Sequence, residues 1–205
     1  LSWSGTAFET LMPSLFISAP RYSLIYDTEN NVAKAQCENR YNGLFGIGES
    51  GFYSLDEQLR YQYYAFGIRR LSLKNENTLP VISPYSSAIC LKFRPKETIK
   101  NLIKSEENGM VDEYGFFEAY DMRKGGGKVY SHMTHHQGMI LCAIADLVEN
   151  GVINELFSND EKIAATLKNY NEITSRLKNS RYLPKNNSCG FTWTSPSLSA
   201  CTLTK

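Results

Sequence analysis

The chain has little histidine and tryptophan, no surplus of either charge, and no signature of a metal enzyme or a serine hydrolase. Only 3 histidines and 2 tryptophans occur among its 205 residues. With 22 basic against 21 acidic residues the net charge is +1. No long-range field therefore gathers nucleic acid, and no basic cluster has the length of a phosphate-binding arm. The 5 cysteines (Cys37, Cys90, Cys142, Cys189 and Cys201) are odd in number and include no CxxC pair. That argues against a disulfide framework or a zinc ribbon. Cys90 and Cys142 sit in apolar helical patterns and read as small core residues, while Cys189 and Cys201 are the two that a disulfide would pair. HExxH and GxSxG are both missing, so neither a zincin nor an esterase-type nucleophile is expected, and no cofactor is called for. No run of about 18 apolar residues exists, so this segment is not expected to enter a membrane. No signal peptide is visible, and the opening Leu1 is read as that of a processed product or an excised piece.

Aromatic residues are abundant instead, at 12%, with 13 tyrosines. They concentrate in Leu44–Gly67, LFGIGESGFYSLDEQLRYQYYAFG, where glycines at 46, 48 and 51 surround Glu49. Phe45, Phe52, Tyr53, Tyr61, Tyr63, Tyr64 and Phe66 accompany them. Flat rings beside a carboxylate suit a sugar cleft, because rings stack on apolar sugar faces while polar groups fix the hydroxyls. The alternative is a well-packed loop over a helical core.

Hydrophobic content of 42% and 21% charge fit one globular domain, or part of a larger one. Apolar spacing predicts a helix over Ser4–Phe16, capped by Ser4 or Thr6 and broken near Pro13. A polar helix over Asp27–Asn42 follows, and Asp56–Tyr64 is read as a short helix or irregular segment. Ser83-Pro84 opens a helix through Phe93, and Pro95–Glu107 forms another. Gly115–Asp121 is short and extended, and Lys124–Lys128 is read as a flexible surface turn, a shortened hairpin or a lid. Thr134 opens a helix so apolar that burial on most sides is expected, and Asp160–Leu177 is amphipathic. The expected class is all-α: about six helices in hairpins, a domain over residues 1–178, and an irregular tail over 179–205. A ring of six hairpins needs twelve helices, so six make half of one.

Three glutamates share a Gly/aromatic setting: Glu9 in GTAFE, Glu49 in GIGES and Glu118 in GFFEAYD. Cleaving a glycosidic bond takes two carboxyl groups, one protonated and one charged. An apolar surrounding raises one of them, a role that the flanks Phe116, Phe117 and Tyr120 assign to Glu118. Glu49, between Gly48 and Ser50, is left as base, nucleophile or hydroxyl ligand. Each glutamate can equally be a helix cap or a backbone partner. His132 and His136 are spaced i, i+4, but a helix starting near Thr134 leaves His132 outside it, so no metal is expected. His135, His136 and Gln137 are read as hydrogen-bonding groups at the mouth of that helix, or as core residues.

Five ordered motifs, GTAFETLMPSLF, GLFGIGESGFYSLDEQLRYQYYAFGI, SPYSSAICL, YGFFEAYD and SHMTHHQGMILCAIADL, resemble the glycoamylase-like domain of cyclic β-1,2-glucan synthases and related endo-β-1,2-glucanases. The likeness runs from Ser4 to Leu177. It implies the C-terminal half of an (α/α)6 toroid acting on β-glucan, by hydrolysis or by transglycosylation. It places candidate catalytic groups at Glu49, Glu118 and Glu9. Candidate sugar contacts fall on Tyr53, Tyr61, Gln62, Tyr63, Tyr120, Asp121, His135, His136 and Gln137. The implied partners are a β-glucan chain and the N-terminal half of the same parent protein, or a self-association partner. The implied setting is bacterial: cytoplasmic, periplasmic or within a membrane-associated synthase. The stretch after Asp121 is shorter than in relatives.

Overall fold

The computed structural model describes residues 1–21, 23–74 and 79–179. The expected tail, with Cys189 and Cys201, lies outside the described residues apart from Asn179. Helix α1 (Ala7–Leu11) runs into a 3-10 turn at Met12–Leu15 because Pro13 cannot continue the ladder. Helices α2 (Leu24–Glu38), α3 (Pro84–Ala88), α4 (Pro95–Glu107), α5 (Thr134–Val148), α6 (Val152–Ser158) and α7 (Glu161–Asn179) follow.

The all-α expectation is overturned. Seven strands form three small antiparallel sheets among the described residues. Strands β1 (Glu49–Leu55) and β2 (Tyr61–Ala65) make a hairpin whose second strand falls in Asp56–Tyr64, read as a short helix or an irregular segment. The reason is composition: aromatic residues prefer a pleated, half-buried surface to a helix. Strand β3 (Val81–Ile82) pairs with β6 (Ala119–Asp121), which pairs with β7 (Lys128–Val129). Strands β4 (Val111–Asp112) and β5 (Gly115–Phe116) form the third sheet. The architecture is therefore mixed α and β.

Two further expectations change. Helix α3 stops at Ala88, and Ser83 stands at its N-cap without a side-chain cap bond; its Oγ donates to the Glu118 carbonyl at 2.6 Å instead. Helix α5 is not buried on most sides. Met139, Ile140 and Ala143 face the core, but Leu141 is 68% exposed and Val148 65%, with Ile144 beside them. At 100° per residue these three share a stripe well off the core face.

The core has two parts. Ala7, Leu11, Leu15, Val32, Ala33, Phe45, Tyr85, Ala88 and Ile140 join α1, α2, α3 and α5. Leu44, Ile47, Phe66, Ile68, Val81, Ile82, Ala119 and Val129 join the hairpin base to the three-stranded sheet. Phe45 and Ile47 thus enter different cores from one loop, and two buried side-chain amides hold that loop. Gln36 Nε2 donates to the Ile47 carbonyl at 2.7 Å while its Oε1 accepts the Ile47 N–H at 2.9 Å. Asn101 does the same to Phe45, with both bonds at 2.9 Å. Each amide supplies both halves of a strand-like pairing, so the loop's polar groups are satisfied without a neighbouring strand.

Candidate active site

The bolted loop delivers Glu49 to the start of β1 at the seam of the two cores. In the hairpin Glu49 pairs with Ala65 and Gly51 with Tyr63. Side chains alternate along a strand and directly opposed residues share a face. Glu49, Gly51 and Tyr63 therefore face the same way. A β-carbon on Gly51 would sit 3.3 Å from both Glu118 Cγ and Val129 Cγ1, so glycine lets the strand approach Glu118 closely. The Gly51 N–H donates to Glu118 Oε1 at 3.0 Å.

Glu118 Oε2 lies 2.8 Å from His136 Nδ1, and both side chains are almost wholly buried. The His136 ring is stacked 3.7 Å from Tyr85 at 12°, and Tyr63 stacks beyond it at 6.4 Å and 23°. Tyr85 itself donates to the Glu49 carbonyl at 2.7 Å. His136 Nε2, Ser50 Oγ and Ser86 Oγ, all buried, have no protein partner. Those three atoms leave polar capacity directly around Glu49's strand.

Glu49 is half-buried, and its carboxyl accepts no hydrogen bond from the described residues. Burial pushes it above the usual carboxylate range and the nearby charge of Glu9 adds to that, partly offset by His136. Glu9 is the opposite case. Burial works to raise it, but donors from Ser4, Ser2, Thr6 and Gly5 outweigh burial and hold it low. It closes a capping box on α1, with the Thr6 N–H donating to Glu9 Oε2 at 3.1 Å and the Glu9 N–H to Thr6 Oγ1 at 3.0 Å. Two nearby carboxyls driven apart in this way are the usual basis for dividing acid and base roles. Glu9→Gln removes the charge while leaving an acceptor for the cap, so the Glu49 titration is expected to move to lower pH. Carbon-13 NMR of the Glu49 carboxyl reads this directly, and an unmoved midpoint contradicts the coupling.

The other candidates separate into two groups. Tyr63, 44% exposed, lies within reach of the charges of both Glu49 and Glu118, which with burial raise its phenol strongly. His135 is exposed beside His136, ring centres 4.0 Å apart; burial lowers it and so does His136, while Glu118 opposes them. These two join Glu49, Glu118 and His136. Tyr53 and Tyr61 sit 6.3 Å apart toward the hairpin tip, and Gln62, paired with Phe52, is exposed. Asp121 is buried, receiving the Tyr53 N–H at 3.2 Å and an ion pair from Arg123. Tyr120 packs into the second core. Gln137 donates to the Phe116 carbonyl at 2.7 Å.

The aromatic flanks of Glu118 do not surround its carboxylate: Phe117 packs on Tyr130 and His132. His132 precedes α5, and its nitrogens meet the Phe116 carbonyl and Asp112. Sequence reasoning missed Tyr85 and the bond from Gly51. The available signal was the SPYSSA motif: a tyrosine on a short helix opened by proline, in a segment with few charges to solvate it.

Comparison with known proteins follows the same outline. The sequence model of the Glycoamylase family, described as "Putative glucoamylase", matches residues 2–161. The cyclic beta-(1,2)-glucan synthase NdvB of Rhizobium meliloti (strain 1021) is 35% identical over 177 residues, covering 80% of this chain and 6% of that protein. An endo-beta-1,2-glucanase from Chitinophaga pinensis, solved with sophorotriose and glucose, is similar in fold at 17% identity and a TM-score of 0.61. The alignment covers 82% of this chain and 41% of that one. A "putative glucoamylase" from Bacteroides caccae ATCC 43185 aligns at 18% identity and a TM-score of 0.64, with the same coverage. The chain thus spans a small part of the synthase and about two fifths of the solved neighbours. With the family's sequence pattern running through the loop, the hairpin and the first turns of α5, the chain belongs to the Glycoamylase family.

Proposed function

We propose that this chain is a β-1,2-glucan-processing domain that works on glycosidic bonds by paired-carboxylate chemistry, as hydrolysis or as transglycosylation. The observation that carries it is the contrast at Gly51. Glu49, unbonded and raised, shares a face of β1 with Glu118, which the Gly51 N–H and His136 Nδ1 hold, and Tyr63 lies within reach of both charges. In this reading Glu49 gives its proton to the glycosidic oxygen as the bond to the anomeric carbon breaks. Glu118, oriented by the Gly51 N–H and by His136, is the second carboxyl group, facing the developing positive charge. Water then adds to the anomeric carbon and passes its proton back to Glu49, giving hydrolysis, and a sugar hydroxyl that does the same gives transfer. Glu9 acts through its charge on Glu49. Tyr63, His135 and the hairpin tyrosines supply ring faces and hydrogen bonds to the sugar.

A second reading is a glucan-binding module without turnover, favoured by one observation: the Glu118 side chain has no exposed surface. The α5 stripe of Leu141, Ile144 and Val148 adds a partner to either reading. Its occupant is the remainder of a larger fold or a second copy of this chain.

Linear β-1,2-glucooligosaccharides incubated with the protein and followed by chromatography separate the cases. Shortened or rearranged chains are the expected result. Calorimetric binding with unchanged oligosaccharide selects the binding module, and neither binding nor conversion removes both readings.

A further inference from the structure

Beside the paired carboxylates lies a second aromatic surface to which neither reading gives a role. Tyr114 is 72% exposed and Tyr130 61%. They are held from beneath by half-buried neighbours. Phe117 meets Tyr130 edge-on at 4.9 Å and 76°, and lies 5.3 Å from His132, which lies 6.1 Å from Tyr114. His132 is fixed at both ring nitrogens, Nδ1 at 3.0 Å from the Phe116 carbonyl and Nε2 at 3.2 Å from Asp112 Oδ2. The rings are therefore exposed yet anchored, which lowers the ordering cost of binding something across them.

We propose that this Tyr114–Tyr130 ledge, seated on Phe117 and His132, is a remote contact for a long glucan chain whose reacting bond lies at Glu49. The proposal rests on the glucan reading above and extends it outward. Three observations favour a sugar over a protein partner. The large exposed apolar side chains here are all aromatic, whereas exposed leucine and isoleucine occur on α2, α4, α5 and the hairpin. The rings are interleaved with polar groups, Asp112, His132 and Ser131, suited to hydroxyls rather than to an apolar helix. The ledge is also joined to the cleft, since one segment carries Tyr130, His132, His135 and His136 in turn. Tyr130 and His135 are five positions apart, so their α-carbons lie within about 17 Å of each other. A long chain bridges any separation up to that limit, and a ledge that is a remote contact is one that a trimer seated at Glu49 does not reach.

The test compares calorimetric binding of β-1,2-linked glucotriose with that of a long linear β-1,2-glucan. Tyr130→Ala is expected to weaken the long chain about tenfold, a factor of the size one lost ring contact gives, and to leave the trimer unchanged. Tyr130→Phe is expected to bind both as the parent does, because the ring face is retained. Melting temperature serves as the control for folding, and exposure of Tyr130 predicts no change in it. Equal weakening of trimer and long chain overturns the ledge, as does no weakening of either. Absence of any glucan binding by the unsubstituted protein removes the underlying reading instead, and the ledge with it.

Discussion

Glu49→Gln is expected to lower turnover of β-1,2-glucan by about a thousandfold, within the range that loss of a general acid produces, with no fall in melting temperature. The two halves have separate grounds. The rate effect follows because the amide is isosteric with the carboxyl but has no proton to give to a leaving oxygen. The stability half follows because the Glu49 carboxyl bonds to nothing in the described structure, so no partner is stranded when it is replaced. A pH profile adds the sign. Glu49 must be protonated to act, and burial with Glu9 holds its titration above the ordinary carboxylate value. The rate should therefore be sustained below that raised midpoint and fall as pH rises through it. In Glu49→Gln that alkaline limb should vanish from whatever activity remains. Full activity in the variant would end the assignment of the acid.

The second large effect separates fold from chemistry at Glu118. Removing its partner with His136→Ala strands Glu118 Oε2 in a place with no exposed side-chain surface, and it also strips the ring stacked on Tyr85. Leaving one member of a buried hydrogen-bonded pair of ionisable groups alone costs about 3 kcal/mol. For a domain of this size that corresponds to a melting temperature lower by roughly 10 °C. Glu118→Gln should behave differently. The amide oxygen still accepts from Gly51 and its NH2 can meet His136 Nδ1, so thermal stability should drop far less while turnover is lost. Comparable melting losses in the two variants, read by calorimetry, would contradict the arrangement.

Much of the site was legible in the sequence, and what was illegible has a common cause. The motif glutamates, the histidine pair and the tyrosine run carry local signals, as do the proline-opened helices α3 and α4 and the apolar α5. Thr6 and Glu9 stand at the spacing of a capping box, so the local role of Glu9 was also within reach. Strand β2 was not recognised because YQYYA holds too many aromatic residues to show a polar–apolar alternation. The roles of Gln36, Asn101, Tyr85 and Gly51 depend on partners 11 to 67 residues away. No periodicity encodes such pairings. The overestimated burial of α5 came from reading one helix alone: its composition asks for cover on two sides, and the described residues cover one.

The amide clamps at Gln36 and Asn101 constrain how this cleft can vary. Each side chain reads the loop backbone as a strand one residue long, donating once and accepting once. An acid in the same place keeps the acceptor and loses the donor, and the longer or shorter amide displaces both. The loop from Phe45 to Ile47 is thus closed to drift from both directions, by its own Gly46 and by helices α2 and α4. Diversity in what the cleft accepts is left to the hairpin tip near Leu55–Tyr61, where the register already slips and the carboxyl at its base does not feel the change.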